Sequence, residues 1–90
     1  MKHYVYILYS ASHDVYYKGY TVDYNQRLKD HNLGKSKYTA GKGPWELVYV
    51  ELLPTKREAL IRERQLKKQN RAYLEWLIQQ EKNIIRESGK

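Results

Sequence analysis

The sequence predicts an α/β domain: a small three-stranded sheet, antiparallel or mixed, flanked by helices in the order ββαβαα. Three observations predict it. Runs rich in β-branched and aromatic residues recur at 3–9, 15–21 and 45–53. Helix-capping signatures follow the second and third of these runs. No linker, internal repeat or low-complexity segment divides the chain.

The first run, His3-Tyr4-Val5-Tyr6-Ile7-Leu8-Tyr9, is closed by the polar Ser10-Ala11-Ser12-His13-Asp14. The second repeats its character, so the pair reads as a hairpin with a loop of about two to four residues. Asp23 with Gln26 three positions on forms an N-cap signature, and Gly34 suits a C′ position; together they bracket a helix from about Tyr24 to Leu33. A loop rich in Gly and Lys follows at 35–44. The third strand, Trp45 to Leu53, is broken by Pro54. Thr55-Lys56-Arg57-Glu58 is a capping box opening a helix to about Gln69. Asn70 can cap a third helix carrying Tyr73, Leu74, Leu77, Ile78, Ile84 and Ile85 on its apolar side.

Composition narrows the function. Ninety residues make one domain, and 41% hydrophobic with 30% charged content suits a small globule, not a disordered chain. Without cysteine there is no disulfide, no Cys-based zinc site and no thiol nucleophile. His3, His13 and His31 are too scattered for an H-E-x-x-H metal helix. The longest apolar run, Tyr4 to Tyr9, is far short of the ~20 residues that span a bilayer. No secretion signal opens the chain, so a cytoplasmic protein is expected. The net charge of +7 points to an anionic partner, and +5 of it lies between Lys56 and Arg71. A basic helix beside the Lys/Gly loop suits phosphate, although a solvated helix face explains the same charge. Lys35, Lys37, Tyr38, Lys42, Arg64 and Lys67 are the candidate nucleic-acid contacts, with Tyr38 the best placed to stack. There are ten Tyr and no Phe, and every buried Tyr hydroxyl needs a partner.

Four features stand out chemically. Glu63 interrupts an apolar helix stripe made by Ala59, Leu60 and Leu66; it is either an edge carboxylate paired with a nearby cation or a functional one. Arg27 and His31, four apart, project from one helix face and can meet a phosphate, although such surface pairs are ordinary. In the hairpin, an even-numbered loop lets Tyr6 face Tyr17, with Tyr4, Tyr6, Tyr17 and Gly19 on one side of the sheet. Gly19 then leaves a gap beside the hydroxyls. Gly34-Lys35-Ser36 mimics a phosphate-loop ending, but Lys29 stands where its first Gly belongs, and a helix precedes the triplet instead of following it.

These residues carry a resemblance. Tyr4-Val5-Tyr6, Tyr17-Lys18-Gly19, Arg27 with His31, and a later helical Glu63 resemble a GIY-YIG nuclease domain, especially its small stand-alone bacterial members of largely unassigned function. The likeness extends through Arg27-Leu28-Lys29-Asp30-His31-Asn32 and Pro44-Trp45-Glu46-Leu47-Val48-Tyr49 and covers about residues 2–80. Residues 1–80 are therefore assigned to a GIY-YIG-like domain, and 81–90 to the end of the last helix and a polar tail. The resemblance implies a phosphodiesterase using one divalent ion, Mg²⁺ or Mn²⁺. It implies Glu63 as metal ligand and Arg27 at the scissile phosphate. Tyr6 and Tyr17 would be general base and partner in either order, His31 would move a proton or bind phosphate, and Gly19 would support the site. Three features depart from the pattern: the first motif reads Tyr4-Val5-Tyr6, Lys18 replaces Ile in the second, and Asn70, the nearest match to an Asn that many family nucleases carry after the metal Glu, reads as a helix cap.

The expectation is a metal-dependent endonuclease-like domain that hydrolyses phosphodiester bonds, with DNA ahead of RNA and branched structures included. A nucleic-acid-binding module with weak or lost catalysis is the alternative; a partner-binding protein docking through its third helix is another. No base-reading helix is evident, so low sequence specificity, structure selectivity or a targeting protein partner is expected.

Overall fold

The structure is a computed structural model and describes residues 1–86. There are three strands, β1 (His3–Ser10), β2 (Val15–Thr21) and β3 (Trp45–Leu53), and three helices, α1 (Tyr24–Asn32), α2 (Lys56–Lys67) and α3 (Arg71–Ile78). The order is ββαβαα, and the sheet runs β2-β1-β3 with both pairings antiparallel. The central strand takes hydrogen bonds on both sides and has more buried positions than either neighbour. A register shift between Ile7 and Leu8 lets Tyr49 pair with Ile7 and Leu47 with Leu8. That bulge keeps Leu47 and Val50 on the same face despite their odd spacing.

The faces differ. Val5, Ile7 and Tyr49 meet Ala59 and Leu66 of α2 and Leu74 and Leu77 of α3. Tyr6, Leu8, Trp45 and Val50 form the other core, with Tyr24 and Leu28 of α1 against it. Each helix starts where its capping residue accepts an amide: Asp23 from Gln26, Thr55 from Glu58 and Asn70 from Tyr73. Gly34, at φ 78°, provides the left-handed turn after α1. Buried hydroxyls are satisfied: Tyr49 donates to the Glu51 carboxylate, which also accepts from Arg62 Nε at 3.0 Å. Among the described residues, no buried side-chain nitrogen or oxygen lacks a partner.

Two expectations are corrected. The hairpin loop has four residues, 11–14, and pairs Tyr6 with Gly19 and Leu8 with Tyr17. Tyr6 and Tyr17 therefore share a face but stand diagonally, one pleat apart. The third helix ends at Ile78, so Ile84 and Ile85 are not on it. Asn83 causes the departure: its amide donates to Val48 O and Ile78 O, and its carbonyl oxygen accepts from Val50 N and Ile85 N. Ile84 N adds a bond to Val50 O, so this segment covers the open edge of β3. The tail at 87–90 lies outside the described residues.

Candidate active site

Tyr6 is the centre of the site. Its side chain comes off the middle strand, is 1% exposed, and lies across from Gly19. A Cβ at Gly19 would stand 2.5 Å from the Tyr6 hydroxyl oxygen and 2.6 Å from Cζ. Gly19 has no positive φ that would demand glycine; it is needed for room. The hydroxyl that occupies this space meets His31 Nε2 at 2.9 Å. His31 is 1% exposed on the inner side of α1, and its Nδ1 lies 2.7 Å from Thr39 Oγ1.

Burial shifts both groups toward their neutral forms. It pushes the Tyr6 phenol up to about 12, helped by the charges of Tyr17 and Glu63 and opposed by the Arg27 guanidinium. It pulls the His31 imidazole below its ordinary value, with Arg27 adding to the shift and Asp30 opposing it. Arg27 itself is partly exposed, 3.5 Å from Asp30, so its cation is shared between the protein and an open side.

Tyr17 forms the outer wall. Its ring centre is 4.9 Å from that of His31 and 6.3 Å from that of Tyr6, and it stacks on Tyr38 at 5.8 Å. Tyr38 is exposed, with Lys42 Nζ 3.9 Å above its ring and donating to its carbonyl. A groove of about 190 Å³ runs past this point, lined by Tyr16, Tyr17, Lys18, Tyr38 and Lys67. Glu63 is half-buried on α2 between the buried Ala59 and Leu66 and pairs with Lys67 at 3.4 Å.

Most of the expected residues thus gather in two groups, and Lys35, Lys37 and Arg64 lie apart from both. Tyr6, Tyr17, Arg27, His31 and Gly19 converge, and Glu63 is near enough for its charge to act on Tyr6. Tyr38, Lys42 and Lys67 gather at the groove mouth. Lys35 instead pairs with Asp30, Lys37 is exposed on the loop, and Arg64 lines a larger groove of about 480 Å³ on the outer side of α2 with Lys56, Arg57 and Ile61. That larger groove holds none of the Tyr6–His31 cluster, so size does not mark the site. Asn70 caps α3, as its sequence position suggests.

Sequence reasoning missed Thr39, Trp45 and Asn32. Trp45 Nε1 donates to Thr39 O, and the Asn32 amide brackets the Trp45 backbone through both N–H and C=O. No periodicity marks such residues, because their partners lie across a loop.

Among the described residues no three His, Cys, Asp or Glu side chains cluster, so these residues form no all-protein metal cage. A carboxylate that is 20% exposed and paired with an exposed Lys fits a hard, largely hydrated dication, which takes one or two carboxylates and keeps its waters.

A three-stranded sheet with paired tyrosines against an Arg/His helix, and a carboxylate on the following helix, defines the GIY-YIG class of domain. The model of the GIY-YIG catalytic domain matches residues 2–90, and the chain belongs to that family. It is similar to small stand-alone relatives. The UPF0213 protein BH0048 of Halalkalibacterium halodurans is 43% identical over 79 residues, 87% of this chain and 83% of that one. The UPF0213 protein NP_0776A of Natronomonas pharaonis is 40% identical over 80 residues, 88% and 93% of the two chains. The solution NMR structure of UPF0213 protein BH0048 from Bacillus halodurans matches over all of both chains, with TM-score 0.56 and 38% identity. Among the described residues no helix is long and apolar enough to cross a membrane.

Proposed function

We propose that this chain hydrolyses phosphodiester bonds in nucleic acid, DNA foremost, with one Mg²⁺ or Mn²⁺ ion bound through Glu63. The observation that carries this reading is the buried hydrogen bond between the Tyr6 hydroxyl and His31 Nε2, beside Arg27. At a phenol pKa of about 12, only about one Tyr6 in 10⁵ is ionised at pH 7. A free phenolate is thus a scarce base. A phenol whose own proton has an acceptor is a better one.

Tyr6 has that acceptor. As water attacks phosphorus, its proton moves to the Tyr6 oxygen while the Tyr6 proton moves to His31 Nε2. The new O–P bond forms, the bond to the leaving oxygen breaks, and that oxygen takes a proton from solvent. His31 then returns its proton through Tyr6. Arg27 offers its planar fork to the phosphate oxygens, where charge builds. Tyr17 closes the outer side of His31 and, with Tyr38 and Lys42, guides the strand. The ion, when bound, neutralises the phosphate and acidifies water.

The test is incubation of plasmid, branched DNA and RNA with Mg²⁺ or Mn²⁺, with EDTA, and with Glu63→Ala and Tyr6→Phe. Loss of cleavage in EDTA and in both variants is expected. Cleavage that persists in EDTA and in Glu63→Ala sinks the mechanism. The exposed Tyr38–Lys42 stack also favours a second reading, a binding module without turnover. In that case affinity falls steeply with salt and is indifferent to Glu63→Ala.

A further inference from the structure

Thr39 has no part in the sequence motifs, yet it is fully buried and its hydroxyl lies 2.7 Å from His31 Nδ1. We propose that Thr39 is a positioning residue: its hydroxyl holds His31 as the Nδ1–H tautomer, leaving the Nε2 lone pair free to take the Tyr6 proton. The tautomer is a property of the folded protein; its consequence for rate rests on the nuclease reading above.

The assignment follows from both ends of one hydrogen-bonded chain. At one end, Thr39 Oγ1 has Ser36 O within 3.4 Å as a second place for its single proton, which leaves the hydroxyl oxygen free to accept from His31 Nδ1. At the other end, His31 Nε2 is the one hydrogen-bond partner of the buried Tyr6 hydroxyl among the described residues. The Tyr6 proton therefore points to His31 Nε2, which must be the acceptor. A neutral imidazole has one N–H; the Tyr6 end places it on Nδ1, and the Thr39 hydroxyl accepts it there.

The loop carrying Thr39 is held for this task. Its carbonyl accepts from Trp45 Nε1 at 3.0 Å and from Lys42 N at 3.2 Å. Trp45 is fixed in turn by Asn32, whose Oδ1 accepts from Trp45 N at 2.6 Å. The next turn of chain after His31 thus grips the start of β3, and β3 grips Thr39. If the side chain served packing alone, valine, nearly the same shape, would do as well. With valine, Nδ1–H would be buried without a partner, and the ring would shift to the Nε2–H form. That form donates to the Tyr6 oxygen and blocks the proton path.

The experiment is ¹⁵N NMR of the imidazole nitrogens in the full chain at neutral pH, for wild type, Thr39→Val and Thr39→Ser, with cleavage of the same samples. Wild-type His31 is expected to show a protonated Nδ1 and an unprotonated Nε2. Thr39→Val is expected to lose that pattern and to cleave at least about tenfold more slowly, within the roughly 10²–10⁴-fold a positioned acid–base group contributes. Thr39→Ser, which restores a hydroxyl, is expected to recover both. A wild-type His31 protonated at Nε2 overturns the proposal, as does a Thr39→Val protein that keeps the wild-type tautomer. The wild-type spectrum decides the point even where Thr39→Val fails to fold. A wild-type protein with the expected tautomer and no cleavage of any substrate counts against the nuclease reading and leaves the tautomer standing.

Discussion

Replacing Gly19 with alanine tests the geometry of the site without assuming its activity. The new Cβ would stand 2.5 Å from the Tyr6 hydroxyl oxygen, 2.6 Å from Cζ and 2.9 Å from Cε1. Carbon atoms pack comfortably at about 3.5–4.0 Å, so the ring must retreat by about 1 Å. It has little freedom to do so, since it is 1% exposed and its hydroxyl is held by His31. Such overpacking costs about 1–3 kcal/mol. The backbone at Gly19 is open to any residue, so alanine also stiffens the unfolded chain and returns about 0.4–1 kcal/mol. At mid-range values the net is a loss of about 1.3 kcal/mol, or about 5–10 °C in Tm at about 4–8 °C per kcal/mol for a domain of this size. Urea and thermal unfolding of wild type, Gly19→Ala, Tyr6→Phe and the double variant measure it. The double variant should recover only part of the loss, because Cζ remains too close after the oxygen is gone. A Gly19→Ala protein as stable as wild type, with the Tyr6–His31 bond intact by NMR, refutes the packing argument.

Other expectations follow from the same contacts. Asn83→Ala removes four backbone partners at the covered edge of β3, and about 2–4 kcal/mol of stability should go with them, read by urea unfolding. His31, neutralised by burial and then by Arg27, should titrate below its ordinary value of about 6.5 by NMR. Its neutral form favours the fold above the unfolded value, and that contribution is lost as pH falls through the folded one; cleavage should fall with it, since an imidazolium cannot accept the Tyr6 proton. Asp14 is held below the usual carboxylate range by the Tyr9 hydroxyl first and Arg71 second. Its contribution is present above the unfolded value of about 3.9 and disappears as pH falls through the lower folded one. Melting curves across acid pH should show that loss in wild type and not in Asp14→Asn.

Local signals were legible where they sit within a few residues of what they control. Asp23, Thr55 and Asn70 each cap their own helix, so three helix starts were readable without knowledge of the rest. The third strand runs from Trp45 to Leu53 as its composition indicates. The end of the last helix was not readable. Nothing near Ile78 stops a helix; Asn83 stops it by bonding Val48 and Val50, about 35 positions away. Hairpin register failed for a related reason: parity puts Tyr6 and Tyr17 on one face, but only the four-residue loop decides that Gly19 stands opposite Tyr6.

By itself, then, the sequence determined the helix starts, the strands, the sheet face of Tyr6, Tyr17 and Gly19, and the helix face shared by Arg27 and His31. Caps and periodicities act over three or four residues, and side-chain chemistry at those spacings is written in the chain. The tertiary structure decided which hydroxyl meets which nitrogen: Tyr6 to His31, His31 to Thr39, and the loop to Trp45. Those pairings join residues on different elements, at distances set by how α1 lies on the sheet and how the 33–44 loop closes over it. A hydrogen bond needs its atoms placed to a few tenths of an ångström, and only the packed core supplies that.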